Sequence, residues 1–135
     1  MNLKDELQKI FKGDIEDSDE ARTKYSRDAS LLEIRPEIIV FPKDSADIQA
    51  LVKWVHENKS KYPNLALTMR AAGTCMAGGA IGESIIVDTT RYMNKIHSVN
   101  KVTPFQIIPK YPHAHDVTIS GEATVEPGCF YRDVE

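Results

Sequence analysis

Residues 65 to 94, LALTMRAAGTCMAGGAIGESIIVDTTRYMN, constrain the chain more than any other stretch. An apolar run, Leu65 to Met69, leads into Arg70-Ala71-Ala72-Gly73-Thr74-Cys75-Met76-Ala77-Gly78-Gly79-Ala80. A second apolar run, Ile85 to Val87, closes on Asp88. Four of the seven glycines fall between Gly73 and Gly82. Small residues with almost no charge between two strand signals predict a loop whose backbone can be approached closely. Glycine permits positive φ and leaves amide N–H groups uncovered. Successive exposed amides form a concave nest for an anion such as a pyrophosphate.

Two known phosphate loops do not fit. Gly73 and Gly78 have the glycine spacing of a P-loop, but Gly79 and Ala80 stand where Lys and Ser/Thr belong. The dinucleotide fingerprint G-x-G-x-x-G is absent. The bland alternative is a glycine-rich connection without a ligand.

A capped helix stands before this stretch. Asp44 or Ser45 opens it, and Ile48, Leu51, Val52 and Val55 form its apolar stripe, with Trp54 beside them and an end near Lys59. Ile38 to Phe41, ended by Pro42, reads as a strand. The order strand–helix–strand predicts a parallel βαβ unit over residues 36–88 with a right-handed crossover. The glycine loop then lies at the carboxyl end of a strand, where open α/β sheets place ligands. The flanks are less regular. Leu3, Leu7, Ile10 and Phe11 predict a short amphipathic helix over 3–12 ended by Gly13. Ser18 or Asp19 can cap a further helical turn. Residues 25–35 read as irregular. Residues 89–99 read as a turn or short helical piece, and 105–108 and 117–125 as strands, with Gly121 marking a bulge. Residues 129–135 open a helix.

The length, 135 residues, suits one domain or a piece of a larger one. A net charge of -3 argues against nucleic acid as the main partner. No apolar run is long enough to span a bilayer, and the charged N-terminus has no signal-peptide core, so a cytoplasmic location is the expectation. Cys75 and Cys129 read as free thiols. His113, His115 and Asp116 read as a solvated loop and not a metal site.

The blocks together resemble the FAD-binding domain of the vanillyl-alcohol oxidase / p-cresol methylhydroxylase superfamily, in its D-lactate dehydrogenase and glycolate oxidase FAD-linked subunit branch. Tyr25-Ser26-Arg27-Asp28-Ala29-Ser30 with Arg35-Pro36 and Val40-Phe41-Pro42 resembles the family entry segment. Arg70 to Ala80 resembles the pyrophosphate loop. Val87-Asp88 with Met93-Asn94, then Val125-Glu126-Pro127-Gly128 and Asp133-Val134, resembles two later blocks. The resemblance covers residues 25–135.

The resemblance implies an α+β fold: a βαβ-containing first subdomain of a two-subdomain FAD-binding domain, with the start of the second. A helical extension is expected over 1–24, the first subdomain over 25–98 with the loop at 70–80, and the second from 99 to a truncated end at 135. It also implies an FAD-dependent oxidoreductase that takes a hydride from a 2-hydroxy acid of the D-lactate or glycolate type. The residues expected to bind the cofactor are Arg70, Ala71, Ala72, Gly73, Thr74, Cys75, Gly78, Gly79, Ala80, Asp88, Pro127 and Gly128. Thr74 stands where many members tether FAD through a histidine, so non-covalent FAD is expected. Arg70 either faces the phosphates or braces the loop through backbone carbonyls. Asp88 either bonds near the cofactor or caps the next turn. No catalytic residue is assigned, because the substrate domain is expected beyond Glu135. The piece alone is expected to be inactive, to hold FAD poorly and to self-associate through an uncovered strand edge. The competing reading is a stand-alone nucleotide- or anion-binding module without redox chemistry.

Overall fold

The computed structural model describes residues 3–107 and 117–135. The helices and strands in chain order are α1 (Leu3–Leu7), β1 (Asp14–Glu16), α2 (Asp19–Tyr25), β2 (Ile38–Phe41), α3 (Ser45–Asn58), β3 (Leu67–Arg70), β4 (Ile85–Asp88), β5 (Ile96–Ile107) and β6 (Val117–Val125), with a 3-10 turn at Tyr131–Asp133. The fold is α+β. The first sheet has the order β1-β2-β4-β3; β5 and β6 form a second sheet of two strands.

Ile-Ile-Val-Phe in β2 and Ile-Ile-Val-Asp in β4 are buried throughout, as central parallel strands covered on both faces require. β4 lies parallel between its neighbours, with Ile38 opposite Ile85 on one side and Leu67 opposite Ile85 on the other. Thus β2 and β3 share a sheet and are bridged by α3, as the strand–helix–strand order predicts, but the later β4 is inserted between them. β3 starts two residues after Leu65, which is buried in the core outside the strand.

Strand alternation divides the core. Ile38, Val40, Ile85 and Val87 face Leu51 and Trp54 of α3 together with Leu7 and Phe11. Ile39, Phe41 and Ile86 face the opposite side, where Ala21 and Tyr25 of α2 cover them.

Helix α3 is capped by Asp44, whose side chain accepts the Asp47 N–H. Its stripe departs from the expected one at Val52, which is 52% exposed; Leu51 and Trp54 are buried, Val55 packs against the core, and Asp47 is buried beside them. The core-facing side follows positions 47, 51, 54 and 55, and Val52 lies one helical step of about 100° away from Leu51. Asp47 is on this face because the chain before the helix needs acceptors. Its carboxylate accepts the Lys12 N–H at 3.1 Å and the Lys43 N–H at 3.0 Å. Replacing Asp47 with Ala strands both donors, and a loss of about 3 kcal/mol follows from hydrogen bonds to a charged acceptor. Urea unfolding should show that loss as a lower midpoint with an unchanged slope.

Two expected elements are corrected. Helix α1 ends at Leu7, and residues 8–10 form a turn that still delivers Phe11 to the core. Residues 89–99 are not a single turn or helical piece: the turn ends before Ile96, where β5 begins and pairs with Val125. Val117–Val125 is a strand as expected. Gly121 pairs with Lys101 at the edge of a register shift, and the extra residues lie in β5. His113, His115 and Asp116 lie outside the described residues. Among the described residues no helix is long and apolar enough to cross a membrane.

Candidate functional site

The carboxyl ends of β3 and β4 lie side by side, with Arg70 in register with Asp88. From here the chain runs into the glycine loop after β3 and the 89–94 turn after β4.

Asp88 is buried, and its oxygens are taken up locally. One oxygen accepts the Thr90 N–H at 2.7 Å and the Thr90 hydroxyl at 2.6 Å; the other accepts the Tyr25 hydroxyl at 2.6 Å. Asp88 therefore caps the following turn, the second of its two expected roles. Burial, reinforced by the bond to Asp88, pushes the Tyr25 phenol well above its ordinary value of 10.0. The raised value means that the folded protein favours the neutral phenol. This contribution to stability is whole below pH 10 and is lost as pH rises through the folded value. Tyr25→Phe is expected to flatten the alkaline fall in stability, measured as urea midpoint against pH. Part of the slope should remain, because the hydrogen bond to Asp14 also raises the Tyr92 phenol.

Arg70 braces the loop. Its Nη1 donates to the Arg27 carbonyl at 2.9 Å and the Ala80 carbonyl at 3.3 Å, and its guanidinium lies 5.0 Å from the centre of the Tyr25 ring. Nε and Nη2 donate to no other group among the described residues and pack against Gly73.

Between Arg70 and Ala80 the backbone is open. Ala71, Ala72 and Thr74 are exposed, and Gly73 and Cys75 half-buried. Among the described residues, the N–H groups of Ala71, Ala72, Gly73, Thr74 and Cys75 have no hydrogen-bond acceptor. Gly73 and Gly78 have φ of 71° and 78°, the left-handed region that lets consecutive amides turn into a nest. The far end is closed: Gly79 N–H donates to Cys75 Sγ at 3.2 Å and Ala80 N–H to the Asp28 carboxylate at 3.4 Å.

Opposite the loop stands the segment after β6. Pro127 is the second residue of a turn closed by the Cys129 N–H on the Glu126 carbonyl. Gly128 is buried and donates its N–H to the Met93 carbonyl at 2.7 Å. Ala71, Ala72 and Thr74 on one side and residues 128–133 on the other enclose a cleft of about 520 Å³. A second cavity of about 430 Å³, near Tyr62 and Leu65, lies at the amino ends of the strands, away from the open amides.

Of the residues singled out in the sequence, Ala71, Ala72, Thr74 and Gly128 line the cleft. Gly73 and Cys75 supply open amides beside it, and Pro127 adjoins Gly128. Arg70 braces the loop, and Asp88 holds Tyr25 and the turn that begins at Thr89. Gly79 and Ala80 bond back to Cys75 and Asp28, and Gly78 lies beside Leu32. Tyr25, Asp28 and the Phe130–Asp133 wall were not singled out as site residues; the Tyr25–Ser30 motif hinted at the first two, and the Asp133-Val134 block touched only the last residue of the wall.

Residues 36–135 match the FAD binding domain family. The chain belongs to this family. The motif resemblance is thereby borne out, and the family cofactor is FAD. Similar curated proteins include D-2-hydroxyglutarate dehydrogenase of Escherichia coli (strain K12), 35% identical over 101 residues, which are 74% of this chain and 10% of that protein. The mitochondrial D-lactate dehydrogenase [cytochrome] of Kluyveromyces lactis is 31% identical over 71 residues, 50% of this chain and 12% of that protein. The chain thus spans about a tenth of the length of the curated relatives it matches. Among solved structures, alkyldihydroxyacetonephosphate synthase has a TM-score of 0.57 at 24% identity, over 71% of this chain and 20% of that one. A BBE-like 1 variant of Physcomitrella patens has 0.55 at 18%, over 71% and 20%. At that identity the likeness is one of fold.

The residues present fit the cofactor. A pyrophosphate needs several hydrogen-bond donors free of other acceptors, and the five open amides at Ala71 to Cys75 supply them beside the Arg70 charge.

Proposed function

We propose that this chain is the N-terminal part of an FAD-dependent oxidoreductase acting on a 2-hydroxy acid. The observation that carries the reading is the row of open amides at Ala71 to Cys75 on a cleft walled by residues 128–133. A generic anion nest has no need of that second wall; a long cofactor does. Bound FAD supplies the redox chemistry, accepting a hydride from the hydroxyl-bearing carbon of the substrate. The chain's own residues hold and orient. The amides of Ala71 to Cys75 neutralise the pyrophosphate charge, Arg70 adds a fixed positive charge, and Gly128 brings the second wall to the loop. Thr74 carries no group able to tether the flavin ring, so FAD is held non-covalently.

The relatives point to D-2-hydroxy acids: D-2-hydroxyglutarate in the first, D-lactate in the second. D-lactate and glycolate remain in the proposed class, with D-2-hydroxyglutarate beside them. The test is anaerobic addition of each acid to the purified full-length protein. Bleaching of the flavin absorbance by at least one of them, and release of free FAD on denaturation, is expected. A protein that carries no flavin, or whose flavin no 2-hydroxy acid bleaches, would overturn the proposal.

A further inference from the structure

We infer that the Tyr25–Ser30 segment is a clamp that presets the pyrophosphate loop, with Tyr25 and Asp28 as positioning residues acting through Arg70 and Ala80. The inference rests on the FAD reading above and adds to it the means by which the loop is held open.

Both backbone polar groups of Ala80 are held by this one arrangement. Its N–H donates to Asp28, and its carbonyl accepts from Arg70, which also donates to the Arg27 carbonyl. The guanidinium rests on the Tyr25 ring, where the attraction of a cation for the ring face holds it in place. The ring is in turn fixed at its hydroxyl by Asp88 and at its edge by Phe41, whose ring centre is 6.0 Å away. The segment is itself stiff: the Ile34 N–H donates to the Ser26 carbonyl at 2.9 Å, and Arg27 pairs with Glu33. Both ends of the loop are therefore tied to one rigid block, while the amides between them stay free. An open row of donors otherwise tends to collapse onto nearby acceptors. A loop held open in advance loses less freedom when an anion binds.

The test compares FAD with riboflavin, which shares the ring system and lacks the pyrophosphate, in competition titrations on the full-length protein. Wild type should bind FAD far more tightly than riboflavin. Tyr25→Leu should weaken FAD about tenfold, the scale of one cation–ring contact and its anchoring. Riboflavin affinity should stay within about twofold. Tyr25→Phe keeps the ring beneath the guanidinium and should restore most of the loss. In an Arg70→Gln background Tyr25→Leu should add little, because the two act as a unit. If Tyr25→Leu does not fold, Asp28→Ala provides the same comparison from a more accessible position. Loss of FAD and riboflavin in equal proportion, or full additivity with Arg70→Gln, would overturn the clamp. So would a wild-type FAD preference that survives both substitutions. A wild type that binds riboflavin as tightly as FAD would overturn the FAD reading itself.

Discussion

Gly73→Val is expected to cost the full-length protein most of its FAD while leaving the sheet folded. Gly73 has φ of 71°, a conformation that a β-branched residue reaches only with strain of about 1–3 kcal/mol. Space is also lacking. A side chain at this position would fall on the Arg70 guanidinium, whose Nη1 holds the Ala80 and Arg27 carbonyls. Either the loop leaves its nest conformation or Arg70 leaves its carbonyls. Both routes spoil the row of amides, and each ~1.4 kcal/mol lost is about tenfold in affinity. A drop of tenfold to a hundredfold is therefore expected, read as flavin content and FAD affinity, with urea stability falling by less than the core substitutions would cause. Unchanged flavin content in this variant would count against the loop as the FAD site.

Gly128→Val should be comparably severe, by a different route. Gly128 has an ordinary backbone, so strain is not the cause. Its Cα lies against the Thr89 and Met93 carbonyls, leaving no room for a Cβ. These are backbone atoms of a turn secured by Asp88 and cannot move aside cheaply. Overpacking of this kind costs typically 1–3 kcal/mol. The segment escapes by lifting residues 128–133 away from Ala71, Ala72 and Thr74, which opens the cleft. FAD affinity should fall at least about tenfold. Equal affinity in Gly128→Val and wild type would show that the second wall takes no part.

What could be read in advance follows from local signals. Ile38 to Phe41 before Pro42, the Asp44 cap and the Ile85 to Val87 run each declare their element within a few residues. The loop was legible for the same reason: glycine and alanine between two strands have few structural uses other than close approach. Elements fixed by partners distant in sequence were hidden. β1 is a three-residue strand, Asp14-Ile15-Glu16, with no strand pattern of its own. It is held at the sheet edge by Arg91, which pairs with Asp14 and Glu16, and by the Tyr92 hydroxyl on Asp14. The place of β4 between β2 and β3 is a matter of topology that no spacing encodes. Val52 looked like core because it is apolar; Asp47 holds the buried face instead, because the Lys12 and Lys43 amides need its carboxylate. Tyr25 carried only a motif resemblance, since its function depends on Arg70 and Asp88, many residues away. Of the Phe130–Asp133 wall only Asp133 carried a motif resemblance, because a cleft wall requires shape and neighbours, not a pattern.

The central claim is that the open amides of the loop hold the cofactor, and residue-resolved amide hydrogen exchange with and without FAD tests it most directly. Unpaired, accessible amides exchange quickly, and a bound acceptor slows them. Ala71, Ala72, Gly73, Thr74 and Cys75 should exchange fast in the FAD-free protein and become protected together when FAD is added, while the already buried strands β2 and β4 change little. FAD bound at full occupancy with those five amides still exchanging at their free rates would contradict the account.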